Sequence, residues 1–130
     1  KLIVCGLLKK EFKLSGGNQH RDLLYIDDLI EGLIKASIKK EAIGQIINLG
    51  SGKGYIINDI VRKISNIMGE INISHEPYRK GENMKFYNDI EKAKRILNWE
   101  PKVDIDEGLR RTIEWYKDKH EKDELKKWII

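Results

Sequence analysis

Two kinds of apolar spacing alternate along this chain, and the alternation limits the folds open to it. Leu29, Ile30, Leu33, Ile34, Ser37 and Ile38 recur at helical spacing, predicting an amphipathic helix that starts at Asp28 and ends near Lys40. Gln45 to Leu49, in GQIINLGSG, reads as a short, continuous apolar strand before a turn built on Gly50, Ser51, Gly52 and Gly54. Asn58 is expected to cap a second helix, with Ile60, Val61, Ile64, Ile67 and Met68 inward and Gly69 as its stop. Ile71 to Pro77 alternates apolar and polar residues as a strand does, and Pro77 ends it. Asp89 is expected to cap a short helix carrying Ile90, Ala93, Ile96 and Leu97, closed by Trp99 and Pro101. A capping box from Asp104 to Glu107 opens the last helix, which buries Ile105, Leu109, Ile113 and Tyr116. Beyond Trp115 that helix is mostly charge, with pairs such as Asp118 and Lys122 suited to a solvent-facing extension. This order of elements implies an α/β unit with a small, partly parallel sheet and about four helices.

Length and charge exclude several classes of function. A chain of 130 residues is one domain's worth, too short to hold a complete two-domain enzyme. Its 25 basic and 21 acidic residues leave a net charge of +4, with the two signs interleaved throughout. A nucleic-acid groove or an anionic membrane face calls for a one-signed stripe, and Lys9, Lys10 and Lys13 around Glu11 are too few to make one. The single Cys5 has no partner for an internal disulfide, and His20, His75 and His120 are isolated, so no metal cluster is expected. The opening KLIVCGLLKK is too short for a membrane span and lacks a cleavage site, which points to a cytoplasmic protein. A chain that begins with Lys, not Met, reads as a truncated or processed segment.

Few residues offer chemistry by themselves. GSGKG, between a strand and a helix, does not have the spacing of a dinucleotide fingerprint or a phosphate loop. It reads as a tight strand-to-helix turn, with a second reading in which the backbone N–H groups at the start of the following helix face an anion. No serine sits in a nucleophile elbow. Short-chain redox enzymes need a Tyr followed four residues later by Lys, yet the five tyrosines are followed by Leu29, Asp59, Glu82, Glu91 and His120. What remains is a pair of arginines in loops, Arg21 in GGNQHRD and Arg79 in PYRKGEN. A guanidinium is a planar fork suited to phosphate oxygens, and two converging forks suit a diphosphate. The alternative is that Arg21 pairs with Asp22 or Asp27 while Arg79 stands in solvent.

At these residues the sequence resembles a known family. GGNQHRDLLYIDDLIEGLIKA, Gly16 to Ala36, resembles the G-x-Q-x-R-D segment of extended short-chain dehydrogenase/reductases, the NAD-dependent nucleotide-sugar epimerases and dehydratases. GQIINLGSGKGYIINDIV is similar to the family's Y-N-Φ-G-S-G segment, with Ile47 where Tyr is frequent. PYRKGENMKFYNDIEKAKRILNWEPKVDIDEGLRRTIEWY resembles its closing pattern, with Asn98 for the usual Gly and Glu82 for the usual Asp. The three segments follow in the family's order and cover roughly Phe12 to Tyr116.

The resemblance implies the C-terminal, substrate-binding portion of a Rossmann-like enzyme, spanning 1–130, with 117–130 a charged helical extension and the N-terminal NAD-binding part absent. It implies that Arg21 and Arg79 grip the phosphates of a nucleoside-diphosphate sugar. It further implies that Glu82 reaches the ribose, that a strand with Phe12, Lys13 and Leu14 lies along the base, and that Phe86 borders the sugar. NAD or NADP is expected in the parent enzyme, with no catalytic or cofactor-binding residue and no bound cofactor in this chain. The other expected partner is the N-terminal Rossmann portion of the same protein. Without that layer the chain is expected to expose apolar surface and to associate with itself, a homodimer being one such form. The second reading is a standalone, non-catalytic module that binds a nucleotide or a protein.

Overall fold

A computed structural model of the protein describes residues 1–119 and 122–128. The chain divides into two compact units. The first comprises Lys1–Gln19, Ile56–Met84 and Asp106–Ile130, and the second His20–Tyr55 and Lys85–Ile105.

In the first unit helix α1 (Leu2–Leu7) buries Val4 and Cys5 and leads into strand β1 (Phe12–Ser15). Six residues are too few for a helical period to show in sequence, which is why α1 was not legible there. Strand β1 pairs in parallel with β4 (Ile73–Glu76), Phe12 opposite Ile73 and Ser15 opposite Glu76. The strand expected over Ile71 to Pro77 is therefore present in shortened form. Helix α3 (Ile57–Met68) buries Ile60 and Ile64, leaves Ile67 exposed, and stops at Gly69, whose φ of 90° suits glycine. Asn58 does not cap it. The helix starts one residue earlier because its Ile57 and Asn58 N–H groups donate to the carbonyls of Gln19 and Gly17, at 3.1 and 2.8 Å. Backbone acceptors thus satisfy donors that a side-chain cap would otherwise serve. Helix α5 (Ile105–Lys119) begins directly after Asp104 and buries Ile113 completely. The charged extension continues as α6 (Lys122–Leu125) and a short 3-10 turn, and it includes a buried Leu125, so it is not wholly solvent-facing. Residues 120–121 and 129–130, and the Lys122 side chain of the expected pair with Asp118, lie outside what is described.

The second unit is built around Trp99. Strand β2 (His20–Arg21) pairs with β3 (Tyr55–Ile56), whose Tyr55 belongs to this unit. Helices α2 (Ile26–Ile38) and α4 (Glu91–Leu97) enclose a core of Ala93, Leu97 and Trp99. The cap position of α4 is Ile90 and not Asp89, which lies one residue earlier and whose Oδ1 accepts the Glu91 N–H at 2.9 Å. Asn98 closes the helix in the left-handed conformation.

Two further expectations fail here. Asp28 is not the start of α2, which begins at Ile26. Asp28 is buried in the first turn, where its carboxylate accepts the Val103 N–H and its carbonyl accepts the Trp99 Nε1–H, both at 3.0 Å. The apolar face of α2 lies exposed. Ile26, Ile30, Leu33, Ile34 and Ile38 are 46–74% exposed, and the inward side is made by Gly32 and Ala36. An added methyl at Gly32 would come within 2.9 Å of Leu49 and 3.1 Å of Trp99. Gln45 to Leu49 is assigned to no strand, because no neighbouring strand among the described residues offers it an edge, and Ile46 is 87% exposed. Among the described residues no helix is long and apolar enough to cross a membrane.

Candidate nucleotide-binding residues

The seven residues singled out from the sequence divide between the two units. Phe12, Lys13, Leu14, Arg79 and Glu82 belong to the first, and Arg21 and Phe86 to the second.

In the first unit Phe12, Lys13 and Leu14 do lie on a strand, β1. Leu14 is buried beneath it, Phe12 is half-buried, and Lys13 points to solvent, 3.5 Å from Glu76. The turn that follows β4 is tied to the end of β1. Ser15 Oγ donates to the Pro77 carbonyl at 2.9 Å, and the Asn18 N–H donates to Tyr78 Oη at 3.3 Å. Tyr78 packs so closely on Gly16 that an added Cβ there would lie 2.0 Å from its ring. The buried Gln19 shapes the intervening loop by accepting the Gly17 N–H at 2.7 Å and donating to the Ser15 carbonyl at 2.9 Å. Arg79 opens a turn closed by the Glu82 N–H donating to its carbonyl at 3.0 Å, with Gly81 at φ 78°, the position where a type II turn demands positive φ. Arg79 is exposed.

In the second unit Arg21 and Phe86 are brought together by the backbone. His20 and Lys85 form a parallel bridge, and the Phe86 N–H donates to the His20 carbonyl at 3.3 Å. Arg21 is half-buried, with Nη1 donating to the His20 carbonyl at 2.7 Å. Phe86 is 52% exposed.

Beside them lies a cluster centred on a residue considered from the sequence only as a possible partner for Arg21. Asp22 Oδ1 accepts from both the N–H and the Oγ of Ser51 at 2.6 Å. Oδ2 accepts from the N–H and Nδ2 of Asn88 at 2.9 and 3.1 Å. Burial would push the Asp22 carboxyl up, but the bonds from Ser51 and Asn88 together outweigh it and hold the group below its ordinary value. Ser51, and Asn88 sixty-six residues further on than Asp22, were not singled out from sequence. The signal for the first was the glycine turn that carries it, and for Asp22 its place directly after Arg21.

This cluster also bears on the readings of GSGKG. The Ser51 N–H is engaged by Asp22 and the Lys53 N–H by Ser51 Oγ at 3.2 Å. These two amides are engaged within the protein, as are the Ile57 and Asn58 amides at the following helix start, which favours the structural turn. Gly50 lets it approach: an added Cβ would lie 2.4 Å from Asp22 Oδ2. This chain carries neither a glycine fingerprint nor a Tyr-x-x-x-Lys pair. Among the described residues no group of three or more His, Cys, Asp or Glu could hold a metal ion.

A parallel pair of short strands feeding helices is a piece of an α/β fold, and comparison with known proteins agrees. Residues 2–112 match the model of the family described as GDP-mannose 4,6 dehydratase, and the chain belongs to this family of NAD-dependent extended short-chain dehydrogenase/reductases. It is 42% identical over 113 residues to a UDP-glucuronate 4-epimerase of Thermodesulfobacterium geofontis, covering 85% of this chain and 34% of that protein. Among solved structures it is similar to an epimerase from Methanothermobacter thermautotrophicus, with a TM-score of 0.88 and 27% identity over 97% of this chain and 38% of that one. It is also similar to a UDP-glucuronic acid 4-epimerase from Bacillus cereus in complex with UDP-glucuronic acid and NAD. There the TM-score is 0.83 and the identity 31%, over 92% of this chain and 39% of that one. The chain thus spans about a third of the length of the curated relatives it matches.

Proposed function

We propose that this chain is the nucleotide-recognising portion of an NAD-dependent nucleotide-sugar epimerase or dehydratase, and that it binds the nucleoside-diphosphate half of the substrate without hydride chemistry of its own. The observation that carries this reading is the placement of Arg21, held half-buried at the end of a short strand with Phe86 fixed beside it by a parallel bridge. A half-buried guanidinium in an ordered backbone is preorganised for an anion, so little freedom is lost on binding. Exposed Arg79, on a turn tied to β1, supplies the second fork, Glu82 meets the ribose, and Phe12, Lys13 and Leu14 line the base. Phe86 borders the sugar. On this reading NAD is held by the remaining two-thirds of the parent enzyme, since this chain carries neither a glycine fingerprint nor a Tyr-x-x-x-Lys pair.

The exposed apolar residues favour this reading over a standalone module. A helix whose apolar stripe lies exposed is suited to packing against another part of a larger protein. Ile26, Ile30, Leu33, Ile34 and Ile38 on α2, together with Ile43 and Ile46, form an uncovered set that the Rossmann portion would cover.

Calorimetric titration of the chain with UDP, dTDP and GDP tests the reading through Arg21→Ala and Arg79→Ala. Each charge-assisted bond contributes about 1.5–3 kcal/mol, so each variant is expected to bind roughly 10- to 150-fold more weakly while keeping its circular dichroism spectrum. Wild-type affinity in both variants would refute the phosphate assignment.

A further inference from the structure

We infer that Asp22 is a positioning residue of the nucleotide site, fixing the register in which Arg21 and Phe86 stand side by side. The inference rests on the nucleotide reading above. Strand β2 has only two residues, and a strand so short specifies its register weakly. Its contact with the 85–88 segment begins with one bond, from the Phe86 N–H to the His20 carbonyl, at a long 3.3 Å. In a parallel ladder the next rung would run from the Asn88 N–H to the carbonyl of residue 22. Here the Asn88 N–H donates instead to the Asp22 carboxylate at 2.9 Å, and Asn88 Nδ2 adds a second bond at 3.1 Å. Arg21 and Phe86 are thereby bracketed, by the His20 rung on one side and the Asp22 rung on the other.

The other carboxylate oxygen fixes Asp22 itself. Ser51 holds Oδ1 through two bonds of 2.6 Å, and Gly50 is bare where any side chain would strike both Asp22 and Asn88. Only an ionised carboxylate offers acceptors to both partners at once. An asparagine at 22 could keep the Ser51 side but would turn an NH2 group toward two donors of Asn88.

Asp22→Asn is nearly isosteric and is the first variant to make. Titrated with the tightest binder among UDP, dTDP and GDP, it should bind at least tenfold more weakly at a temperature where circular dichroism shows it folded. Hydrogen exchange should show lost amide protection at Phe86 and Asn88. The decisive readout is a double-mutant cycle with Arg21→Ala. If Asp22 acts through Arg21, adding Asp22→Asn to Arg21→Ala should cost less than threefold, whereas a residue that merely supports the fold would cost the same in both backgrounds. Should Asp22→Asn not fold, Asn88→Asp, which sets a like charge against Asp22, should give the same loss and the same coupling. Equal costs in both backgrounds, or unchanged affinity in the single variant, would overturn the inference alone. A wild-type chain that binds none of the three nucleotides would overturn the nucleotide reading and this inference with it.

Discussion

Trp99 and Asp22 show how single residues hold the second unit together. Trp99 is 2% exposed, and its indole N–H donates to the carbonyl of Asp28, so it joins α2 to the segment after α4 through both packing and a hydrogen bond. Trp99→Ala should lose about 3–5 kcal/mol in urea denaturation, and Trp99→Phe about 1–2 kcal/mol, mostly from the carbonyl left without its donor. A Trp99→Ala variant as stable as the wild type would show that the core lies elsewhere. Asp22 makes a pH-dependent contribution. Its folded carboxyl titrates below the ordinary value, so its stabilisation is complete above the unfolded pKa and is lost as pH falls through the lower, folded one. The urea midpoint of wild type should therefore exceed that of Asp22→Asn by a constant margin above roughly pH 5, given an ordinary carboxylate value near 4. The margin should shrink in more acid solution. A margin that persists unchanged to the lowest pH would mean that the carboxylate charge is not what holds Ser51 and Asn88.

At the scale of elements, local signals were legible and contacts between distant segments were not. The helices α2, α3, α4 and α5 and strand β4 follow from apolar spacing and from stop residues such as Gly69 and Pro77. Boundaries shifted where the partner was remote: α3 starts at Ile57 because carbonyls of the 17–19 loop accept its first amides, a contact no local motif encodes. The inward side of α2 was not legible for a related reason. Periodicity identifies an apolar face but not what covers it, and Trp99 packs on the opposite, small-residue side at Gly32. Gln45 to Leu49 has strand composition, but a strand needs an edge. Of the site, the arginines were legible through the family resemblance, while the Asp22 cluster depends on Asn88, far away in the chain. The exposed α2 face carries its own prediction. The isolated chain should self-associate on sedimentation, and Leu33→Lys with Ile34→Lys should reduce this without lowering the urea midpoint. Self-association unaffected by the two lysines would place the contact on another surface.

At the scale of the whole molecule, membership of an epimerase and dehydratase family combines with a length about a third of its curated relatives. This chain contains no Tyr-x-x-x-Lys pair, and on the proposed reading what its residues contribute is recognition. In the proposed site the phosphates provide most of the attraction, because the ligand's only full charges meet two guanidinium groups there. Base and ribose add shape and orientation. The most direct measurement is a calorimetric comparison of UDP, dTDP and GDP with their parent nucleosides on the 130-residue chain. At least one diphosphate should bind on the order of 100-fold or more tightly than its nucleoside, the equivalent of one or two charge-assisted bonds, with that advantage lost in the Arg21→Ala, Arg79→Ala double variant. Equal affinity for diphosphate and nucleoside, or an advantage that survives the loss of both arginines, would contradict the account.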